Sequence, residues 1–151
     1  MCSSDLNPSL QPRVPYDALR DFAPVMRITI GQYILAVRPT LPVTSVKALI
    51  AYARANPQAL SYGSSGPGSA NHLAGELFKS MAGVSMTHVP YKGSGPSTTA
   101  FLSGEVQVLI SSTTAIIAHV RSGRVRALAV TGPKRSAMAP EIPTVTESGL
   151  P

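Results

Sequence analysis

The sequence predicts an α/β fold in which a mostly parallel sheet carries helices on both faces. Three observations lead there. Short apolar and β-branched runs alternate with segments of helical period between Ile34 and Val130. The connections between them are brief and rich in Gly, Pro and Ser. A hydrophobic share of 44% against 13% charged residues supports a buried core, and excludes a disordered chain or a coiled coil. Strands and helices that alternate with short connections build parallel sheets covered on both sides.

Taken in order, Tyr16 to Phe22 predicts one helical turn capped by Asp17. Val25-Met26-Arg27-Ile28-Thr29-Ile30 and Ile34-Leu35-Ala36-Val37 read as one long strand or two short ones interrupted at Gly31. Thr44 or Ser45 caps a helix through Ala55, with Val46, Leu49, Ile50 and Ala53 on its apolar side. Leu60-Ser61-Tyr62 is a strand, and Gly63 to Gly68 a tight loop. A helix follows from Ser69 to Met81, with a stripe of Leu73, Leu77, Phe78 and Met81 and a left-handed cap at Gly83. Met86 to Val89 is a strand and Pro90 to Gly95 a second glycine-bearing loop. Pro96 opens a short helix to Ser103, followed by Gly104. Val106 to Ile110 is a strand, Ser111 to Thr114 a polar loop, Ala115 to Ser122 a helix, and Val125 to Val130 the last strand. Residues 131–151 read as loop with a short helix near Thr144–Ser148.

The ends carry little information. Met1-Cys2-Ser3-Ser4-Asp5-Leu6 resembles a translated sequencing-adapter remnant and is set aside from the fold. With it goes the lone cysteine, which has neither a disulfide partner nor zinc-ligand company. Thirteen Lys and Arg against seven Asp and Glu give a net charge of +6, which becomes +7 without Asp5. No secretory signal pattern and no run of about 18 apolar residues is visible. Both ends read as cut.

In parallel sheets, ligands sit at the carboxyl ends of the strands, so the loops 63–69, 90–96 and 111–114 are the candidates. Gly63-Ser64-Ser65-Gly66-Pro67-Gly68-Ser69 follows a strand and opens a helix. Its backbone N–H groups and the helix dipole would favour a carboxylate or phosphate, with hydroxyl donors at Ser64, Ser65 and Ser69. The same residues also suit a plain tight turn with Ser69 as helix cap, and both readings stand. The loop has no P-loop lysine, lacks the third glycine of the dinucleotide fingerprint at Asn71, and is no G-x-S-x-G elbow.

His72, His88 and His119 show no metal-ligand spacing, so neither a metal nor a cofactor is expected. His72 stands in the first helical turn, where it could face a ligand or simply satisfy a hydrogen bond; His88 reads as structural. Glu76 and Glu105 read as solvent-facing. No pair of carboxylates suggests acid–base chemistry, and no catalytic residue is assigned. Arg121, Arg124 and Arg126 surround a helix end, where cations are favoured, and read as a solvated face. With no Trp and few other aromatics, nucleic acid is not an expected partner.

Together these residues resemble the solute-binding receptors of tripartite tricarboxylate transporters, the Bug family. The resemblance is carried by Tyr16-Asp17-x-x-x-Asp21-Phe22-Ala23-Pro24-Val25, by Ser64-Ser65-Gly66-x-Gly68-Ser69-x-x-His72-Leu73-x-x-Glu76-Leu77-Phe78 and by His88-Val89-Pro90-Tyr91-Lys92-Gly93. It continues in Ser122-Gly123-x-Val125-Arg126-Ala127-Leu128-Ala129-Val130-Thr131 and Pro143-Thr144-Val145-x-Glu147-x-Gly149-Leu150-Pro151.

The resemblance implies a two-lobed, type II periplasmic-binding-protein fold, of which this chain is an incomplete part. Residues 7–33 and 128–151 would be pieces of the first lobe and 34–127 the second, with interlobe crossings near 28–37 and 125–131. It implies a monomeric periplasmic receptor, not an enzyme, that captures a small organic carboxylate and hands it to membrane permease subunits. Ser64, Ser65, Gly66, Gly68, Ser69 and His72 would hold the ligand, and Tyr91, Lys92, Gly93 and Ser94 would line the cleft. Lys92 reads equally as the ligand's charge partner or as a solvated loop residue. Ser111–Thr114 stands where relatives often carry an acid or amide. The ligand-sensing domain of a transcription regulator and a small hydrolase using Ser64 or Ser65 are the alternatives.

Overall fold

The computed structural model describes residues 13–17, 20–23, 26 and 31–150. The expected strand over 25–30, apart from Met26, and the set-aside residues 1–6 fall outside them. Five strands, β1 (Tyr33–Val37), β2 (Ser61–Ser64), β3 (Thr87–Pro90), β4 (Val108–Ser112) and β5 (Arg126–Val130), form one sheet in the order β3-β2-β4-β1-β5. Four helices join them: α1 (Val46–Ala55), α2 (Ala70–Ala82), α3 (Ser94–Ser103) and α4 (Thr113–Arg121).

The sheet is mixed. β2 pairs parallel with β3 and β4, whereas β1 pairs antiparallel with both β4 and β5. Four strands therefore run one way, and β1 lies reversed between two of them. Apolar periodicity marks a strand but not its direction, so this reversal had no signal in the local pattern. A register shift between Leu35 and Ala36 bends the β1–β5 ladder.

Alternate strand residues build two cores. Leu35, Val37, Tyr62, Val108 and Ile110 meet Val46, Leu49 and Ala53 of α1 and Phe78 and Ala82 of α2. Ile34, Ala36, Leu109 and Val130 meet Phe101 of α3 and Ile116 and Ile117 of α4. Helices thus cover both faces, a period-2 strand pattern feeding two layers. Because β2, β3 and β4 point the same way, the N-termini of α2, α3 and α4 share the carboxyl end of the sheet.

Several boundaries differ from expectation. β2 extends through Gly63 and Ser64. α3 begins at Ser94, with Pro96 in its first turn, where the missing N–H has no intrahelical acceptor to lose. No loop separates β4 from α4, since Ser111 and Ser112 end the strand and Thr113 and Thr114 open the helix. α2 buries only Phe78 of the expected stripe. Asn71, Gly75, Phe78 and Ala82 face the sheet, while Leu77 is 61% and Met81 37% exposed. The fully buried Tyr62 ring occupies the space over Gly75, and that fit fixes which side of the helix faces inward. Thr144–Ser148 makes a single turn closed by a reciprocal capping box, Thr144 N–H to Glu147 Oε2 at 2.8 Å and Glu147 N–H to Thr144 Oγ1 at 3.0 Å.

Candidate functional site: the carboxyl end of the sheet

The glycine-rich connection from β2 to α2 is folded onto its own donors. Gly66 N–H donates to Ser64 Oγ (3.1 Å) and Ser65 N–H to Asn71 Oδ1 (3.4 Å), with Asn71 Nδ2 returning a bond to Ser65 Oγ (3.0 Å). Ser69 Oγ donates to Gly66 O (2.6 Å) and caps α2 by accepting from His72 N–H (3.4 Å). Gly68, at φ 76°, donates its N–H to His72 Nδ1 (3.1 Å). In that bond Nδ1 is the acceptor. In the first turn of α2 the amides of Ala70 and Asn71 have no intrahelical acceptor.

A stack of rings lies beneath this loop. The parallel register sets Tyr62 beside His88. Their rings stack at 5.0 Å, and His88 stacks in turn on His72 at 4.1 Å. His88 Nε2 lies 2.6 Å from Ser64 Oγ. The Tyr62 hydroxyl donates to Glu76 Oε1 (2.6 Å), and Lys79 Nζ donates to both Glu76 oxygens (2.8 and 2.9 Å).

Burial and the Glu76 carboxylate push the Tyr62 phenol far above its ordinary value. Burial opposes ionisation of Glu76, but bonds from Lys79 and Tyr62 outweigh it and hold the carboxyl below its usual range. Burial, then the facing His72 and Lys79, lowers His88, with Glu76 opposing. Glu76 and His88, read from sequence as solvent-facing and structural, are thus both tied to the loop. For Glu76 the signal was its i+4 spacing from His72 on one helix face; His88 had none, because it meets Tyr62 only through the β2–β3 register.

The connection from β3 to α3 is built differently. Tyr91 N–H donates to Ser64 O (3.0 Å), but its ring turns inward against Gly63, and burial followed by the Glu105 carboxylate pushes its phenol up to about 12. The hydroxyl is sealed in the protein. Lys92 and Ser94 are exposed, Gly93 takes φ 112°, and α3 starts with no side-chain cap. α4 likewise starts uncapped at Ser112, while Thr113 Oγ1 donates to Gln32 O of the segment entering β1 (3.1 Å).

The predicted site residues therefore share one end of the sheet but offer different groups. Ser64 is fully buried beneath the loop and Tyr91 faces the core. Ser65, Gly66, Gly68, Ser69 and His72 hold the loop's shape. Lys92, Gly93 and Ser94 stand open. A nucleophilic Ser64 has no exposure, and the nearest acid, Glu76, is committed to Tyr62 and Lys79 rather than to His88. Among the described residues no His, Cys, Asp and Glu group could hold a metal ion, and no helix is long and apolar enough to cross a membrane.

Comparison with known proteins places this geometry. BugT of Bordetella pertussis is 38% identical over 143 residues, which is 95% of this chain and 44% of that protein. An R. palustris protein solved with adipate superposes with a TM-score of 0.87 at 43% identity, covering 94% of this chain and 48% of that one. MatC from Rhodopseudomonas palustris with bound malate gives a TM-score of 0.87 at 27% identity, covering 97% and 50%. The chain thus spans about half the length of these relatives, and half of a periplasmic-binding-protein fold. The pattern of the tripartite tricarboxylate transporter family receptor matches residues 1–151, and the chain belongs to that receptor family.

Proposed function

We propose that this chain supplies one wall of a ligand cleft in a periplasmic receptor that captures a small organic carboxylate and delivers it to a membrane permease. The observation that carries the reading is the gathering of the α2, α3 and α4 N-termini at one end of the sheet, two of them without side-chain caps. Helix N-termini favour anions, and Lys92 adds an exposed positive charge beside α3. Adipate and malate in the two solved relatives support the ligand class.

In this reading β1 and β5, neighbours in the sheet, are the crossings between lobes. Residues 34–127 form the second lobe, and 7–33 and 128–151 belong to the first. The complete receptor acts as a monomer, and the lobes close over the ligand about these strands.

Isothermal titration of the complete receptor against adipate, malate, citrate, aspartate and benzoate tests the reading. Heat with at least one carboxylate is expected. Turnover of a substrate with no anion binding overturns it. The 151-residue chain alone binds the same ligand at least about 100-fold more weakly, because half of the contacts and the closure that excludes water are absent.

A further inference from the structure

We propose that Glu76 is a positioning residue for the glycine-rich loop, acting through Tyr62 and the stacked rings of His88 and His72. The inference rests on the reading of that loop as a ligand wall, and adds how the wall is held. Glu76 stands two turns into α2, away from the loop, yet it is joined to it by continuous contacts. Lys79 fixes the carboxylate with two bonds, and the carboxylate accepts the Tyr62 hydroxyl. Tyr62 is fully buried, so its hydroxyl needs an acceptor inside the protein. The ring also lies tight against Gly75 of the same helix, where a Cβ would collide with Tyr62 Cε2. Held at both points, Tyr62 is the floor on which His88 stacks, and His88 is the floor for His72.

The upper two rings grip the loop at its two shoulders. His88 Nε2 meets Ser64 Oγ at the entry, and Ser64 Oγ in turn accepts from Gly66 N–H. His72 Nδ1 accepts Gly68 N–H at the exit. Hydrogen bonds weaken steeply with distance and angle. A sideways shift of the stack therefore loosens Ser64 and Gly68 together. Nothing else among the described residues bonds to Gly68 N–H, and the loop's remaining exit bonds, from Ser69 N–H and Oγ to Gly66 O, leave that amide untouched. Glu76 touches no loop residue itself; its effect is transmitted.

The test uses the complete receptor with three variants. Tyr62→Phe keeps the ring and deletes the hydroxyl, Glu76→Ala deletes the acceptor, and Glu76→Gln keeps an acceptor without the charge. The readouts are the NMR signals of the Gly68 amide and the His72 imidazole nitrogens, and adipate and malate affinity by titration.

Tyr62→Phe and Glu76→Ala are expected to erase the signature of the Gly68–His72 bond and weaken binding about tenfold, whereas Glu76→Gln stays within about threefold of wild type. A fall in melting temperature with the Gly68 and His72 signals unchanged overturns the proposal, since a merely structural cluster would behave that way. If Tyr62→Phe does not fold, the contrast between Glu76→Ala and Glu76→Gln decides alone. If wild type ignores adipate and malate while the NMR changes occur as stated, the positioning role stands and the ligand reading falls.

Discussion

Between β2 and α2, residues 65–69 direct their N–H groups and hydroxyls to Ser64, Asn71, Gly66 and His72, and a stack of three rings sits below them. Between β3 and α3, residues 91–93 make one backbone bond to Ser64 and leave the helix start uncapped, with Lys92 and Ser94 in solvent. Both connections are rich in Gly and Ser, follow parallel strands and open helices. The first has fixed its shape by consuming its own donors. The second keeps its donors free and is shaped by little besides Gly93. A wall that must meet a ligand in one geometry needs the first kind of element, and a wall that must supply unspent positive potential needs the second. In the proposed cleft the two loops would divide a task that the sequence suggests each could do alone.

The largest blow to the preorganised side should come from Gly75→Ala. The added methyl has no room against a Tyr62 ring that is held by Glu76 and cannot swing away. Overpacking of this kind costs about 3 kcal/mol, against a gain of about 1 kcal/mol in helix propensity, for a net loss of about 2 kcal/mol. That corresponds to a fall in melting temperature of roughly 4–8 °C in a protein of this size. The matching change beside the other loop, Gly95→Ala in the first turn of α3, meets nothing within 4 Å and should hold or slightly raise the melting temperature through helix propensity alone. Equal falls in both variants would erase the distinction between the two loops.

Next in size is the pair Ser69→Ala and Ser94→Ala. Ser69 caps α2 and ties Gly66 through its hydroxyl, so its loss should cost about 1–2 kcal/mol. Ser94 is exposed and caps nothing, so its loss should stay within about 0.5 kcal/mol. Urea unfolding of the two variants measures the contrast directly. The comparison sharpens further if Ser94→Ala weakens carboxylate binding more than it weakens the fold.

How much of this was legible varies residue by residue. The Ser69 cap, the Gly83 and Gly104 termini and the alternation of strand and helix follow from local chemistry and are visible along the chain. The ring stack is not, because it joins Tyr62, His72 and His88 through a sheet register and a helix orientation that exist only once the fold is assembled. The same holds for Tyr91, whose direction was set by space beside Gly63, and for the reversed β1, whose pairing with β4 links residues far apart in sequence. The hydrophobic stripe of α2 misled because a glycine contributes nothing to apolar periodicity, yet Gly75 is what lets Tyr62 enter.

A smaller effect should follow pH. His88 has a folded pKa below its ordinary value of 6.5, from burial first and then from the facing His72 and Lys79, with Glu76 opposing. The folded state therefore binds its proton less readily than the unfolded chain does. Its stabilisation is full above pH 6.5 and declines as pH falls through the folded value. Glu76, also lowered, loses its contribution only below its ordinary 4.5, so the two windows separate. Melting temperature should be level from pH 8 to 7 and fall from pH 6.5 downward, and His88→Gln should flatten that fall. An unchanged slope in the variant would remove the ring stack from the account.

The smallest effect, and the one of opposite sign, belongs to the second loop. Ser97 stands on α3 beneath Gly63, buried, with a hydroxyl that finds no hydrogen-bond partner among the described residues. Ser64, equally buried across the same strand, has its hydroxyl fully engaged. A buried hydroxyl without a partner has lost its water for nothing, a cost of about 1–3 kcal/mol relative to a satisfied one. Ser97→Ala removes that cost and leaves a void smaller than a methyl group, so stability should rise by about 0.5–1 kcal/mol. Ser64→Ala instead strands Gly66 N–H and His88 and should lower it. Thermal unfolding of both variants reads the signs. A loss in Ser97→Ala would mean that its hydroxyl has a partner in solution, and the α3 side of β2 would then be as tightly wired as the α2 side.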